Sequence, residues 1–306
     1  MTITPAQLEA RRGWIGASDV PAIVGVSPWK DAYSLWAEKT GKVPASEAGD
    51  AAKWGNLLEP VILDCAATAL GKRVVKSTAT FSHPNLDCVR ANPDGFVEVC
   101  RRGEPLVEGK STSIAEGWGE PGTDQVPESV VVQVTMQMRC TGSAFAHVAR
   151  LYHSFGHPDF SLYTIAFSKT LADALDDECG RFWDYHVAKD IPPDATALSL
   201  PSLGKIGRKA KAVQVDPAIV KAFTDARAAA KAAEEAADDA KAKLIAALGD
   251  GDQAEIAGWR VKYLNVSQDR VDMDALRGAA PDLVAQHMKS SSYRKLDVRA
   301  IKEKSK

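Results

Sequence analysis

Residues 92–110, NPDGFVEVCRRGEPLVEGK, constrain this chain more than any other stretch. Pro93-Asp94-Gly95 is a turn signal at the mouth of a predicted strand, 96–99. Residues 101–105 read as the loop, and 106–110 as the returning strand of a β-hairpin. The two-residue period of a strand puts Glu108 and Lys110 on one face. A loop centred on Arg102 sets Asp94 opposite Lys110, and a slip of one residue would turn Asp94 to the other face. Two carboxylates and a lysine converging in this way are what metal-assisted phosphodiester cleavage needs. The carboxylates hold a hard divalent cation, and the lysine directs the attacking water. A plain turn followed by a strand with one solvated lysine is the alternative reading of the same residues.

The rest of the composition narrows the setting. The chain has 306 residues, 45% hydrophobic and 25% charged, enough for one large domain or two smaller ones. Its net charge is −2, but residues 201–306 hold 20 Lys and Arg against 15 Asp and Glu, whereas residues 1–200 hold 18 against 25. An acidic part beside a more basic tail suits metal-binding carboxylates with a separate DNA-attracting surface, or else is ordinary scatter. Cys65, Cys88, Cys100, Cys140 and Cys179 form no CxxC pair, which speaks against zinc and iron–sulfur sites and suits a reducing cytoplasm. The N-terminus lacks an apolar signal core, and no run of 18 apolar residues occurs.

In chain order, a short helix is expected over 5–12. Ser18 is expected to N-cap a helix over 19–24, with Arg11 upstream, a combination suited to a phosphate. A helix over 31–40 ends at Gly41, and Trp29, Tyr33 and Trp36 are expected in the core. The helix over 50–70 ends at Gly71, carries an apolar stripe of Trp54, Leu57, Leu58, Val61, Ile62, Cys65 and Leu70, and should bend at Pro60. Glu59 interrupts that stripe, either as a site carboxylate or as a solvated edge residue. Strands are expected over 73–78, 80–82 and 87–91 before the hairpin, and the Gly-rich stretch 113–126 reads as a loop. Residues 127–141 form a buried helix with Gln133 and Gln137 on one face. Strands over 143–151 and 161–167 complete a mixed sheet, and an amphipathic helix over 169–189 leads to Pro192-Pro193. The expected organisation is a first domain over 1–193 and a linker over 194–215 with Lys205, Arg208, Lys209 and Lys211. An accessory region over 216–306 is opened by a long Ala-rich helix to Leu248. That region adds a hairpin near 254–266, short helices near Met273 and Asp282, and a strand over 293–298.

The ordered set of Arg11-x6-Ser18-Asp19, Trp54-x4-Glu59, Asn92-Pro93-Asp94-Gly95, Glu108-Gly109-Lys110 and Gln133-Val134-x2-Gln137-Met138 resembles the YqaJ-like phage recombinase exonucleases. This group includes lambda exonuclease and belongs to the PD-(D/E)XK nuclease superfamily. The resemblance covers roughly residues 8–190. It implies an α/β (α+β) restriction-endonuclease-like fold, a mixed central sheet flanked by helices. It also implies a Mg²⁺-dependent 5′→3′ duplex DNA exonuclease that leaves 3′ single-stranded tails for recombination, with Mn²⁺ able to substitute. By the same resemblance Asp94, Glu108, the carbonyl of Gly109 and Glu59 would form the metal site, Lys110 would orient the water, and Gln133 would close the site. Arg11 and Ser18 would grip the 5′-phosphate. Glycine at 109 departs from the family's usual apolar residue and weakens the strand while leaving its carbonyl available. A homo-oligomer, for instance a trimeric ring, a single-strand annealing protein as partner, and phage or prophage origin in a bacterial host also follow from the resemblance. The rival readings are an endonuclease or repair nuclease on the same fold, or a non-catalytic DNA-binding assembly module.

Overall fold

The computed structural model describes residues 11–44, 50–154, 157–207, 211–289 and 296–298. Two units are distinguished, meeting after Gly207. In the first, β1 (Ile15–Gly16) precedes a 3₁₀ turn (Ala17–Asp19), α1 (Val20–Ile23), α2 (Ala32–Lys39) and α3 (Asp50–Leu70). Then come β2 (Val74–Lys76), β3 (Phe81–Ser82), β4 (Val89–Ala91), β5 (Gly95–Val97), β6 (Leu106–Thr112) and α4 (Glu128–Thr141). β7 (Phe145–Ser154), β8 (His157–Ala166), α5 (Lys169–Arg181), a π-helical turn (Phe182–Val187) and α6 (Leu200–Lys205) complete the unit.

The central sheet runs β2-β5-β6-β7-β8, with β6 and β7 parallel and the other pairs antiparallel. It is the mixed sheet expected from the sequence, and alternation along β6 divides its faces. Leu106 packs towards the larger core with Phe96, Val148, Tyr163, Val134 and Met136. Val107 packs with Ile62, Leu63, Ala66, Val97 and Ala149 on the α3 side. Each face buries its own apolar row, which fixes the register, because a one-residue slip would exchange the rows. A smaller sheet, β1-β4-β3, sets Gly16 beside Arg90.

Several expectations change. Ser18 is exposed and caps nothing. Asp19 occupies the N-cap position of α1, but its side chain caps no N–H of that helix. Its carboxylate reaches back three residues instead and accepts the Gly16 N–H at 3.0 Å, tying down the start of the 3₁₀ turn. Trp36 is buried, but Trp29 lies in solvent ahead of α2. In α3 the buried residues are Ile62, Leu63 and Ala66, while Trp54, Leu57 and Val61 are exposed. The helix packs on β2, β6 and β7, and its N-terminal half carries none of these buried residues. It runs unbroken through Pro60, which is exposed, so the carbonyl freed one turn back can meet water. The hairpin strand β5 ends at Val97, since Glu98 adopts a left-handed conformation, φ 67°. Gly95 therefore pairs with Val107 and Phe96 with Leu106, which brings Asp94 level with Glu108 rather than Lys110.

The first unit extends to Gly207, past the boundary expected at residue 193. Residues 196–199 are tied back to Asp31 at the N-cap of α2: Asp31 accepts from the Thr196 hydroxyl at 2.6 Å, from the Ser199 hydroxyl and from the Ser34 N–H at 2.9 Å. The second unit holds α7 (Pro217–Leu248), capped by Asp216, then β9 (Gln253–Ile256) paired with β10 (Trp259–Lys262), α8 (Met273–Ala279) and α9 (Pro281–His287). No residue of α7 is buried, as its alanine-dominated face leads one to expect. The expected helix over 5–12 and strand over 293–298 fall mostly outside the described residues, as do Arg208 and Lys209 of the basic cluster. The five cysteines are free thiols. Among the described residues no helix is long and apolar enough to cross a membrane.

Candidate active site

β6 delivers Glu108 and Lys110 to the face covered by α4, and α4 answers with two glutamines one turn apart. Glu108 is 4% exposed. One of its oxygens accepts from Lys110 Nζ at 2.8 Å and from Gln133 Nε2 at 2.5 Å. The other accepts from Gln137 Nε2 at 2.7 Å. Gln133 also accepts from Lys110 Nζ at 2.9 Å through its carbonyl oxygen, so glutamate, lysine and glutamine close a triangle. Burying a carboxylate to this extent is costly unless donors surround it, and Lys110, Gln133 and Gln137 do so here. The Gln137 carbonyl oxygen is buried with no partner.

Asp94 reaches the same centre from the turn before β5. Its Oδ2 accepts the Gly109 N–H at 2.8 Å. Gly109 explains itself here: a Cβ would stand 3.2 Å from Ile62 Cγ2 and 3.5 Å from Asp94 Oδ2, so a side chain would crowd α3 and the incoming carboxylate. Burial, then repulsion from Glu108, pushes the Asp94 carboxyl well above its usual range, against the opposing pull of the Gly109 N–H and Lys110. Glu59 also raises it, which places that helix carboxylate within electrostatic reach. The Glu59 side chain itself is paired with Lys76 at 2.7 Å.

Two mutually repelling carboxylates beside an in-strand carbonyl form a hard-oxygen donor set, and a divalent cation would relieve their repulsion. Asp94, Glu108 and the carbonyl of Gly109 fit such an ion, with Glu59 available once it leaves Lys76. Among the described residues no cluster of three or more His, Cys, Asp or Glu side chains is close enough to bind a metal by side chains alone. The fit therefore depends on the main-chain carbonyl and on water.

Arg11 and Ser18 stand apart from this cluster. The Arg11 guanidinium packs over Trp14 at 5.6 Å and lies 3.5 Å from where a Cβ on Gly16 would sit, against the turn bearing Ser18. Arg90 packs over Trp14 at 5.7 Å, and Lys39 pairs with Asp19 at 2.9 Å. No hydrogen bond or ion pair among the described residues joins Arg11 or Ser18 to Asp94, Glu108 or Lys110. The link is through the chain, since Gly16 pairs with Arg90 four residues before Asp94.

Two neighbours of this centre were given no role by the sequence reading. Gln137 was visible as the one-turn partner of Gln133, but only the structure ties it to Glu108. Arg150 gave no signal, being one arginine in an apolar strand, yet it neighbours Lys110 across the β6–β7 ladder.

Residues 7–144 match the YqaJ-like viral recombinase domain. The chain is 25% identical over 305 residues to the uncharacterized protein YqaJ of Bacillus subtilis (strain 168), covering 96% of this chain and 93% of that one. Among solved structures it is similar to the alkaline exonuclease LHK-Exo from Laribacter hongkongensis, with a TM-score of 0.48 and 21% identity over 61% of this chain and 94% of that one. It is also similar to a phage related exonuclease from Haemophilus somnus 129PT, with a TM-score of 0.43 and 12% identity over 58% of this chain and 96% of that one. The domain match gives the class: a nuclease, a hydrolase acting on DNA, of the kind used in recombination. Within that class, residues 7–144 are similar to the YqaJ-like viral recombinase domain.

Proposed function

We propose that the chain is a Mg²⁺-dependent exonuclease that degrades one strand of duplex DNA from its 5′ end and leaves a 3′ single-stranded tail. The observation that carries this reading is the convergence of Asp94, Glu108 and Lys110 at the β5–β6 hairpin, with Gln133 bonded to two of the three. Asp94, Glu108 and the Gly109 carbonyl would hold the ion, with Glu59 directly or through water, and Mn²⁺ would substitute. When bound, the metal supplies polarisation of the scissile phosphate and lowers the pKa of water. Lys110, fixed by Glu108 and Gln133, holds the attacking water in line with the phosphorus. Water adds to phosphorus, the bond to the 3′-oxygen breaks, and the leaving oxygen takes up a proton.

Arg11 and Ser18 are assigned to the 5′-phosphate, which would restrict the enzyme to ends. The test is a linear duplex, with and without a 5′-phosphate, incubated with Mg²⁺ beside a covalently closed circle. Shortening from the phosphorylated 5′ end, with an intact circle, is expected. Cutting of the circle would overturn the exonuclease reading in favour of an endonuclease. Arg11→Ala should abolish the preference for a 5′-phosphate. A homo-oligomer such as a trimeric ring and a single-strand annealing partner belong to the same proposal. A strict monomer by light scattering on DNA would remove the ring.

A further inference from the structure

Arg150 is 8% exposed. Its Nε is buried without a partner, and Nη1 reaches only the Tyr163 hydroxyl, at 3.5 Å. Among the described residues no carboxylate pairs with it. The guanidinium instead stacks between two rings, 5.0 Å from the centre of Trp118 and 4.6 Å from that of Tyr152. Trp118 belongs to the loop between β6 and α4, and Tyr163 holds that loop by donating to the Gly119 carbonyl at 3.1 Å. A guanidinium withdrawn from water without an anion is costly, and the aromatic faces return only part of that cost. Evolution would more readily place an apolar residue there unless an anion is meant to arrive.

The position says which anion. Arg150 pairs with Lys110 in the parallel β6–β7 ladder, so the two side chains stand side by side on one face of the sheet, about 4.8 Å apart at the backbone. Lys110 is already engaged by Glu108 and Gln133, whereas Arg150 is not. In the strand order β5-β6-β7, Asp94 precedes β5 on one side of Lys110, and Arg150 lies on the other. From these observations we propose that Arg150 is a positioning residue that grips a phosphate flanking the scissile one, on the side away from the carboxylates. The guanidinium fork suits the two non-bridging oxygens of a phosphodiester. The stacked rings hold it ready, so that the strand is clamped before Lys110 directs the water. The inference rests on the nuclease reading of this site.

The test compares Arg150→Met and Arg150→Lys with wild type, in full-length protein. Binding is followed in a Lys110→Met background to prevent cutting, using linear duplexes with one neutral methylphosphonate at either phosphate flanking the terminal scissile bond. Arg150→Met should weaken binding about tenfold and lower the salt slope by roughly one. One methylphosphonate should weaken the Arg150 protein comparably and cost Arg150→Met nothing further. Arg150→Lys should restore the salt slope but only part of the affinity. The melting temperature of Arg150→Met should be unchanged or raised, because an uncompensated buried charge is removed. A lowered melting temperature with an unchanged salt slope would make Arg150 a mere pin for the loop and overturn the proposal. So would equal methylphosphonate penalties in both backgrounds. Cleavage of unmodified duplex by wild type is measured in parallel. If wild type cuts while Arg150 shows no coupling, only this inference falls; if wild type neither cuts nor binds DNA, the nuclease reading falls with it.

Discussion

Asp31 and Asp94 are both withdrawn from water in the first unit, yet their surroundings push them in opposite directions. Burial raises the Asp31 carboxyl, but the Ser199 and Thr196 hydroxyls and Ser34 outweigh it and bring the pKa down to about 2. Among the described residues Asp94 has a single close donor, the Gly109 N–H, and burial with repulsion from Glu108 and Glu59 leaves it well above the usual range. The first aspartate is complete as it stands and fastens 196–199 to α2. The second is incomplete by construction. Asp31 is given its donors, whereas Asp94 is left short of them beside a second carboxylate, which is the arrangement the proposed cation would relieve.

The largest effect should fall on the incomplete side. Lys110→Met should reduce cleavage of linear duplex at least about a hundredfold, the scale of a positioned proton-transfer or water-directing group. DNA binding should change far less. A variant that still cut at the wild-type rate would remove Lys110 from the chemistry. Asp94→Asn sharpens the contrast, because it should abolish cleavage while stabilising the fold. The sign follows from linkage: the folded pKa of Asp94 is raised, so ionising it costs stability as pH climbs from its unfolded value of about 3.8 through the folded one. The stability gain of Asp94→Asn should therefore be absent at pH 3 and present at pH 7, as read by denaturant titration without divalent metal.

Asp31→Asn should show the opposite pH dependence. A folded pKa of about 2, below the unfolded 3.8, stabilises the fold at every pH above 3.8 and stops doing so as pH falls towards 2. The shift corresponds to about 2 kcal/mol at neutral pH. Asp31→Asn should lose that amount at pH 7 and almost none near pH 2, with cleavage intact once the protein is folded. Equal destabilisation at both pH values would mean that packing around the side chain, rather than its charge, holds 196–199.

The hairpin shows how far the residues alone could lead. Glu108 and Lys110 share a face by strand period, so their convergence was legible. The pairing of Asp94 was not, because it turns on where β5 stops, and Glu98 stops it two residues sooner than its β-forming neighbours suggest. Gly109 read as a weak point in the strand, and only the approach of Ile62 and Asp94 reveals it as the space they need. Ser18 was the better cap by type, but the 3₁₀ turn moves the N-cap position to Asp19, whose carboxylate is spent on the Gly16 N–H rather than on the helix. Trp54 and Leu57 belong to the apolar stripe of α3 by spacing, but that spacing cannot say how much of the helix lies on the sheet. Arg150 illustrates the limit most clearly. A buried cation in an apolar strand acquires meaning only from the strand beside it, and parallel pairing between distant segments leaves no local trace in sequence.

The smallest expected effect tests whether Glu59 belongs with Asp94. Its pair with Lys76 is partly solvated, with 39% of the lysine side chain and 19% of the glutamate side chain exposed. Lys76→Ala should therefore change stability by no more than about 0.5 kcal/mol. Its informative consequence lies at the centre. Lys76 competes with any cation for the Glu59 carboxylate, so its removal should tighten Mg²⁺ or Mn²⁺ binding several-fold in calorimetry, and the gain should vanish in Lys76→Ala with Glu59→Gln. Unchanged affinity in the single variant would leave Asp94, Glu108 and the Gly109 carbonyl as the whole protein contribution. Glu59 would then be a surface partner of Lys76 that acts on Asp94 only through its field.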